Sequence, residues 1–362
     1  MESLQIIVPH LSGGGAEDVA RRWALGLSAA GFDVQVVLTH EAAGDVALAG
    51  VSIHSLSRVR GFLNLIRAYR SHLIHTRPSA VLSVMPFSNL VLLLAVALIP
   101  RQARPRTIIS EHTLHSRLRK RFDRNFRVQL RLAEIMYRTA DACVAVSHAV
   151  GAEICALHKV PTDRLWIVPN PVLDRASTVN PHRGRVSELS TVSIVVPARL
   201  VEAKRPQMAM IAARLVMLET GKATVVHYFG SGPMKDELVE LSRVLDVSVV
   251  FHGWVENWFE NIPRDGVVVL PSAVEGFGNV LIEAASKSVP SVVASRTLGA
   301  ADACLHGITG VLTASDGPSD YAKGVINAAN LEIGDIEAWL ERFTIGAAIE
   351  QLRLAIEPRS SG

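Results

Sequence analysis

Short apolar runs alternate along the whole chain with stretches in which apolar positions recur every three to four residues. Leu4–Pro9, Asp33–Thr39, Val51–Leu56, Ala80–Met85, Thr107–Ser110 and Ala142–Ser147 read as strands, and Trp166–Pro169 as the last of a first series. After the first strand, Val19, Trp23, Leu25 and Leu27 fall broadly on one side of a helix that Gly31 ends. Periodicity is lost over 174–191, where Pro181 and Gly184 predict a linker. A second series follows at Val192–Pro197, Ala223–Phe229, Val247–His252, Val267–Leu270 and Ser291–Ala294, with helices near 206–220, 233–245 and 279–288. Each series predicts a doubly wound parallel sheet of the α/β class. The chain thus reads as two similar sandwiches, 1–173 and 192–339, with a cleft between them. Ile336–Ile356 predicts a helix anchored by Trp339, Phe343 and Leu352, and Glu357–Gly362 a frayed end. Leu90–Ile99, the longest apolar run, is about half the roughly 20 residues a membrane span needs, and predicts a buried helix.

Composition agrees with this organisation. The chain has 362 residues, 49% of them hydrophobic, which suits two ordinary domains and argues against global disorder. The net charge of +3 conceals an asymmetry: residues 1–185 hold 23 Lys and Arg against 13 Asp and Glu, and residues 186–362 hold 14 against 21. Ten of the cations lie in 101–131, opposed by Glu111 and Asp123. Phe122, Phe126 and Leu130 recur at helical spacing within Arg117–Arg131, which predicts a basic amphipathic helix for an anionic membrane surface. No nucleic-acid motif accompanies the charge, so a nucleic-acid partner is not expected. Three scattered cysteines, Cys143, Cys155 and Cys304, form neither a disulfide framework nor a metal spacing and point to a reducing compartment. No signal peptide is visible after Met1. The expected location is the cytoplasm.

The chemistry concentrates behind predicted strand ends. In Pro271–Glu283, P-S-A-V-E-G-F-G-N-V-L-I-E, two carboxylates stand eight residues apart. Glu275 falls on the loop and Glu283 about one turn inside the next helix. Between them lies a helix N-terminus of small residues whose N–H groups can face a phosphate. A carboxylate at Glu283 suits a vicinal diol such as ribose. Glu275 can bind a sugar hydroxyl or stabilise positive charge at a sugar carbon. Arg199 and Lys204 follow the strand Val192–Pro197 and can neutralise a diphosphate leaving group. Ser12-Gly13-Gly14-Gly15 lets backbone approach a ligand closely, although Asp18 stands where G-x-G-x-x-G needs its third glycine. His112, also just past a strand, can bind a hydroxyl or move a proton.

Together these residues resemble the retaining GT-B glycosyltransferases of family GT4, over nearly the whole chain. The resemblance rests most on the E-x7-E pair Glu275 and Glu283. It extends to the glycine loop, Ser110-Glu111-His112, Val146-Ser147, Asn170-Pro171, Arg199 through Lys204, Gly230-Ser231-Gly232-Pro233 and His252-Gly253-Trp254-Val255. It implies a GT-B architecture: two Rossmann-like domains facing a central cleft, with a C-terminal helix near 340–358 crossing back onto the first. It implies that Arg199 and Lys204 meet the diphosphate and that Gly13, Gly14, Gly232, Phe277, Gly278 and Asn279 approach phosphate and sugar. It further implies that Glu275 holds the donor sugar, Glu283 the ribose, and Trp254 and Val255 the base, with His112 near the transferred sugar. Ala198 stands where the family usually has glycine. No D-x-D pair occupies a suitable loop, so the resemblance implies no metal for donor binding and no tightly bound cofactor.

The expected activity is transfer of a sugar, with retention, from a UDP- or GDP-sugar to a hydroxyl of a saccharide or lipid-linked acceptor. Polysaccharide or glycolipid assembly at the inner face of the cell membrane is the expected setting. A sugar-nucleotide epimerase or hydrolase on the same fold, or a non-catalytic partner subunit, are the rival readings. A nicotinamide dehydrogenase lacks its G-x-G-x-x-G.

Overall fold

The computed structural model describes residues 2–40, 47–118, 124–175 and 185–357. They form two compact units: one holds the residues up to Arg175 and those from Arg342 onward, the other those between.

The first unit runs β1 (Ser3–Val8), α1 (Gly15–Ala29), β2 (Asp33–Leu38), β3 (Ser52–Ser55), α2 (Phe62–Thr76), β4 (Ala80–Val84), α3 (Pro86–Ala97), β5 (Arg106–Glu111), α4 (His115–Leu118), α5 (Arg124–Met136), β6 (Ala142–Ala145), α6 (His148–His158) and β7 (Leu165–Ile167). Its seven strands lie parallel in the order β3-β2-β1-β4-β5-β6-β7. The second unit runs β8 (Thr191–Val196), α7 (Gln207–Thr220), β9 (Ala223–Phe229), α8 (Lys235–Leu245), β10 (Ser248–Gly253), β11 (Gly266–Leu270), α9 (Asn279–Ser286), β12 (Ser291–Ala294), β13 (Gly310–Thr313), α10 (Pro318–Ala328) and α11 (Glu337–Leu340). Its six parallel strands take the order β10-β9-β8-β11-β12-β13. Both sheets are doubly wound, as the alternation of apolar patterns predicts. Every residue of β4 and β11 is buried, because helices cover both faces of a parallel sheet.

Strand order reverses at β1, between β2 and β4, and at β8, between β9 and β11. Loops leaving the carboxyl ends of two such neighbours diverge to opposite faces and open a crevice, where ligands bind in this class of sheet.

The expected helix over Ile336–Ile356 is interrupted. Thr344 is extended (φ −82°, ψ 159°), and its hydroxyl accepts from the Ala347 N–H to cap a new helix, α12 (Ile345–Ile356). The break exists because Leu173 takes up both sides of it, donating to the Phe343 carbonyl and accepting from the Ile345 N–H. Helix α12 then buries Ala348, Ile349, Leu352, Ala355 and Ile356 in the same core as Ile6, Trp23 and Leu27 of the first unit. Fully burying each large aliphatic side chain contributes roughly 1.5–3 kcal/mol.

The cations of 101–131 are spread over several elements: Arg101 to Arg106 precede and open β5, while Arg117 lies in α4 and Arg124, Arg127 and Arg131 in α5. Phe122 lies outside the described residues. Of the expected linker 174–191, residues 176–184 also lie outside them, while Val186 is buried in the second unit's core. The apolar run at Leu90 falls in α3, buried along most of its length. No described helix is long and apolar enough to cross a membrane.

Candidate active site

In the second unit, β8 pairs with β11 through Gly266↔Ser193, Val267↔Ile194 and Val268↔Val195, so their following loops emerge side by side. The β8 loop tightens into a 3-10 turn, Glu202–Lys204, followed by Arg205 in the left-handed region (φ 50°). The Ala273 N–H of the β11 loop donates to the Ala203 carbonyl at 3.1 Å. Beside that bond, the Lys204 ammonium lies 2.6 Å from Glu275 Oε1, with both side chains half-buried. Arg199 is exposed and makes no side-chain hydrogen bond among the described residues. One cation is therefore paired and one open, and the 71 positions between Lys204 and Glu275 are spanned because β8 and β11 are neighbours.

Glycines shape these loops. Gly278 is left-handed (φ 96°, ψ 60°) immediately before α9, a conformation open to glycine at little cost. Phe277 is buried beneath it, and Asn279 opens the helix. A Cβ on Gly299 would overlap the carbonyls of Glu275 and Gly276, and one on Gly232 that of Leu200. Gly232 is thus also a packing requirement: Leu200 accepts from Met234 and donates to Ser231 across the same contact.

Glu283 sits on α9, half-buried, and accepts from the Trp258 indole N–H at 2.7 Å. Trp258 is 6% exposed in the 3-10 turn Trp258–Asn261 after β10. The indole fixes one carboxylate oxygen. Trp254, five residues after Val249 on the same connection, is 77% exposed, while Val255 packs against Phe229 and Trp258.

The remaining singled-out residues belong to the first unit. Gly13 has φ 103°, and Gly14 precedes α1. The first turn of α1 carries Glu17 and Asp18, so acidic side chains already face the positive end of that helix. His112 follows β5. Its Nε2 is 3.1 Å from the Ser110 hydroxyl, and its Nδ1 is buried without a partner among the described residues. The Trp23 indole N–H, on a ring centred 5.5 Å away, is likewise unpartnered. An unmet buried polar atom costs about 1–3 kcal/mol, which a hydrogen-bonding group at this corner would relieve. Burial pushes His112 down to about 4, against a smaller opposing pull from Glu111. It is neutral near pH 7 and exchanges hydrogen bonds there rather than charge.

Behind His112 lies a network that residue pattern alone did not single out. The buried Glu111 carboxylate accepts from Asn89 at 2.8 Å and from the Tyr137 hydroxyl, and pairs with His115 at 2.9 Å. His115 in turn meets His158 at 3.2 Å. Burial alone would raise Glu111, but the charge and hydrogen bond of His115, with Tyr137, hold it below the ordinary range. His115 is raised correspondingly, burial notwithstanding. Trp258 and Gly299 also went unmarked. An indole in an otherwise polar connection was the one available signal for Trp258. Gly299 had none.

The chain matches the sequence profile of Glycosyltransferase Family 4 over residues 13–174 and that of Glycosyl transferases group 1 over residues 191–330. The chain belongs to the family-4 glycosyltransferases. Over 201 residues this family-4 protein is 29% identical to an uncharacterised glycosyltransferase of Methanocaldococcus jannaschii. The match takes in 52% of this chain, which spans about half the length of that curated relative (51%). The fold of the family-4 chain is that of the lipopolysaccharide outer core galactosyltransferase WaaB (TM-score 0.74, 17% identity, 98% of this chain and 99% of that one). It is equally that of Anabaena HepE, solved with UDP-glucose (TM-score 0.73, 17% identity, 98% and 99%). S. aureus TarM shares it at 11% identity (TM-score 0.71, 99% and 100%). The family-4 chain therefore has the two Rossmann-like domains of the GT-B glycosyltransferases.

Proposed function

We propose that this family-4 protein transfers a sugar from a UDP- or GDP-sugar to a hydroxyl of a saccharide or lipid-linked acceptor, with retention at the anomeric carbon. The reading rests on one observation above all. Lys204 and Glu275 meet at 2.6 Å where the β8 and β11 loops leave the strand-order reversal, with Glu283 on the helix that follows. In this assignment Glu283, oriented by Trp258, accepts from the ribose hydroxyls. Arg199 and Lys204 take the diphosphate, and Glu275, released from Lys204, holds the donor sugar. Gly13, Gly14, Gly232, Phe277, Gly278 and Asn279 line the approach to phosphate and sugar, Trp254 and Val255 that to the base. The HepE structure contains UDP-glucose, which supports a nucleotide-sugar donor.

The chemistry follows from charge. The bond from the anomeric carbon to the diphosphate oxygen breaks, and the bond to the acceptor oxygen forms on the same face. The acceptor proton passes to the leaving diphosphate. Stabilising that diphosphate is the main task of Arg199 and Lys204. His112, neutral at pH 7, holds a hydroxyl of the transferred sugar through Nδ1. We assign the acceptor to polysaccharide or glycolipid assembly at the cytoplasmic face of the membrane. Support comes from α5, which exposes Arg127, Val128, Arg131 and Ile135 at helical spacing, a basic and apolar face suited to an anionic bilayer.

A thermal-shift panel of sugar nucleotides, run beside Glu283→Ala, tests the donor site. One UDP- or GDP-sugar is expected to raise the melting temperature of the native protein and not of the variant. An equal shift in both would remove Glu283 from the site.

A further inference from the structure

We propose a second ligand site, for a phosphorylated polyol, at the edge of the first unit's sheet opposite the loops that carry Gly13 and His112. A cavity of about 530 Å³ opens there beneath the amino ends of β4, β5 and β6. Its volume lies within the usual span of small-molecule pockets. Its lining includes the cations Arg101, Arg104 and Arg106 together with Glu2, Asp141 and Thr139, whose hydroxyl donates to the Met136 carbonyl.

Two of the three guanidiniums are held in place, and none is neutralised among the described residues. Arg104 donates from Nε to the Ile99 carbonyl at 2.7 Å and from Nη2 to the Ala97 carbonyl at 3.0 Å. Arg106 donates from Nε to the Ala355 carbonyl at 3.0 Å. These bonds cap the ends of α3 and α12 and account for one edge of each group. They leave Nη1 of Arg104 and both terminal nitrogens of Arg106 uncommitted. Arg101 makes no side-chain bond at all, and none of the three pairs with a carboxylate among the described residues. Backbone carbonyls hold the forks of Arg104 and Arg106 in position without cancelling their charge. Planar forks with free donors match phosphate oxygens.

The acidic residues of the lining select the rest of the ligand. Asp141 spends one oxygen, Oδ2, on both the N–H and the hydroxyl of Thr107, at 2.8 Å each. Its other oxygen, with the carboxylate of Glu2, is left to accept from hydroxyl groups. A bare phosphate would use only the basic groups and meet repulsion from the acidic ones. A phosphate carrying a short polyol satisfies both. Two sources share this chemistry: the headgroup of an anionic phosphoglycerolipid and a soluble sugar or glycerol phosphate.

The test is calorimetric titration of the full chain with glycerol 3-phosphate, with inorganic phosphate and glycerol as comparisons. Saturable binding of glycerol 3-phosphate is expected, tighter than either comparison. Arg101→Gln is expected to weaken it about tenfold, the loss of a charge-assisted bond, without moving the melting temperature, because Arg101 makes no side-chain bond. Arg199→Gln is expected to leave it unchanged. No saturable binding, or binding lost in Arg199→Gln and kept in Arg101→Gln, overturns the proposal. Vesicles of phosphatidylcholine with and without phosphatidylglycerol then assign the source. Competition by the anionic vesicles alone makes the ligand a lipid headgroup, and its absence makes the ligand soluble. Either result is independent of Arg199, Lys204, Glu275 and Glu283, which lie in the other unit.

Discussion

Two acidic side chains show how differently one residue type is used. Glu275 is half-buried and pairs with a single cation, Lys204, at 2.6 Å. Glu111 is fully buried and holds three neighbours, Asn89, Tyr137 and His115, and so fixes the segment that begins with His112. Its stability effect is pH-dependent in a defined sense. Glu111 is depressed when folded, so its contribution is present above the unfolded carboxylate range and lost as pH falls through its folded value. His115 is raised, so its contribution is complete below about 6.5 and lost as pH rises through its folded value. His112, lowered to about 4, adds a loss of stability as pH falls from its ordinary value toward that number. Glu111→Gln is expected to cost about 3–5 kcal/mol at neutral pH, as for other buried pairs deprived of one partner. Denaturant unfolding at two pH values checks it: the alkaline decline due to His115 should shrink in the variant.

Between elements, close approach decides which glycines matter. A Cβ on Gly26 of α1 would lie 2.7 Å from Ile349 Cγ1 of α12, a side-chain end that can yield. Gly26→Ala is expected to cost about 1–2 kcal/mol, overpacking set against better helix propensity, and Ile349→Ala on the same background should recover part of it. On Gly232 the obstacle is the Leu200 backbone, which cannot yield without moving the loop of Arg199 and Lys204. Gly232→Ala is therefore expected to weaken nucleotide-sugar binding about tenfold, roughly 1.4 kcal/mol, as well as stability. Paired melting and donor-titration measurements separate the two glycines: only Gly232 should couple stability to donor affinity.

At the scale of the molecule, chain order and unit membership disagree. Residues from Arg342 onward belong to the first unit, and α12 fills its core with Leu352 and Ile356. A chain ending at Glu341 is expected to leave the first unit exposed and prone to aggregate. A fragment of 185–341 is expected to melt cooperatively and to retain nucleotide affinity, measured by thermal shift, because Arg199, Lys204, Glu275 and Glu283 all lie within it. Membrane association belongs to this scale too. Arg127→Glu with Arg131→Glu should abolish sedimentation with anionic vesicles, and the native protein's binding should fall as salt shortens the screening length.

Local patterning reached far into this protein. Alternating apolar strands and 3.6-residue periodicity determined two doubly wound sheets, since each element's burial is written into its own residues. The carboxylates Glu275 and Glu283, eight apart around a glycine turn, marked a candidate site because loop and helix positions there follow from adjacent sequence. Strand order does not. That β8 lies beside β11, with β9 and β10 displaced to one side, is settled by how whole βα units pack, and only that brings Lys204 to Glu275 and Ala273 to Ala203. The same holds for Trp258 against Glu283, for the break at Thr344, and for the arginine cavity, where Arg106 at the start of β5 reaches the Ala355 carbonyl of α12, 249 positions away in sequence. Contacts of that kind depend on tertiary packing, which carries no local period for the sequence to display.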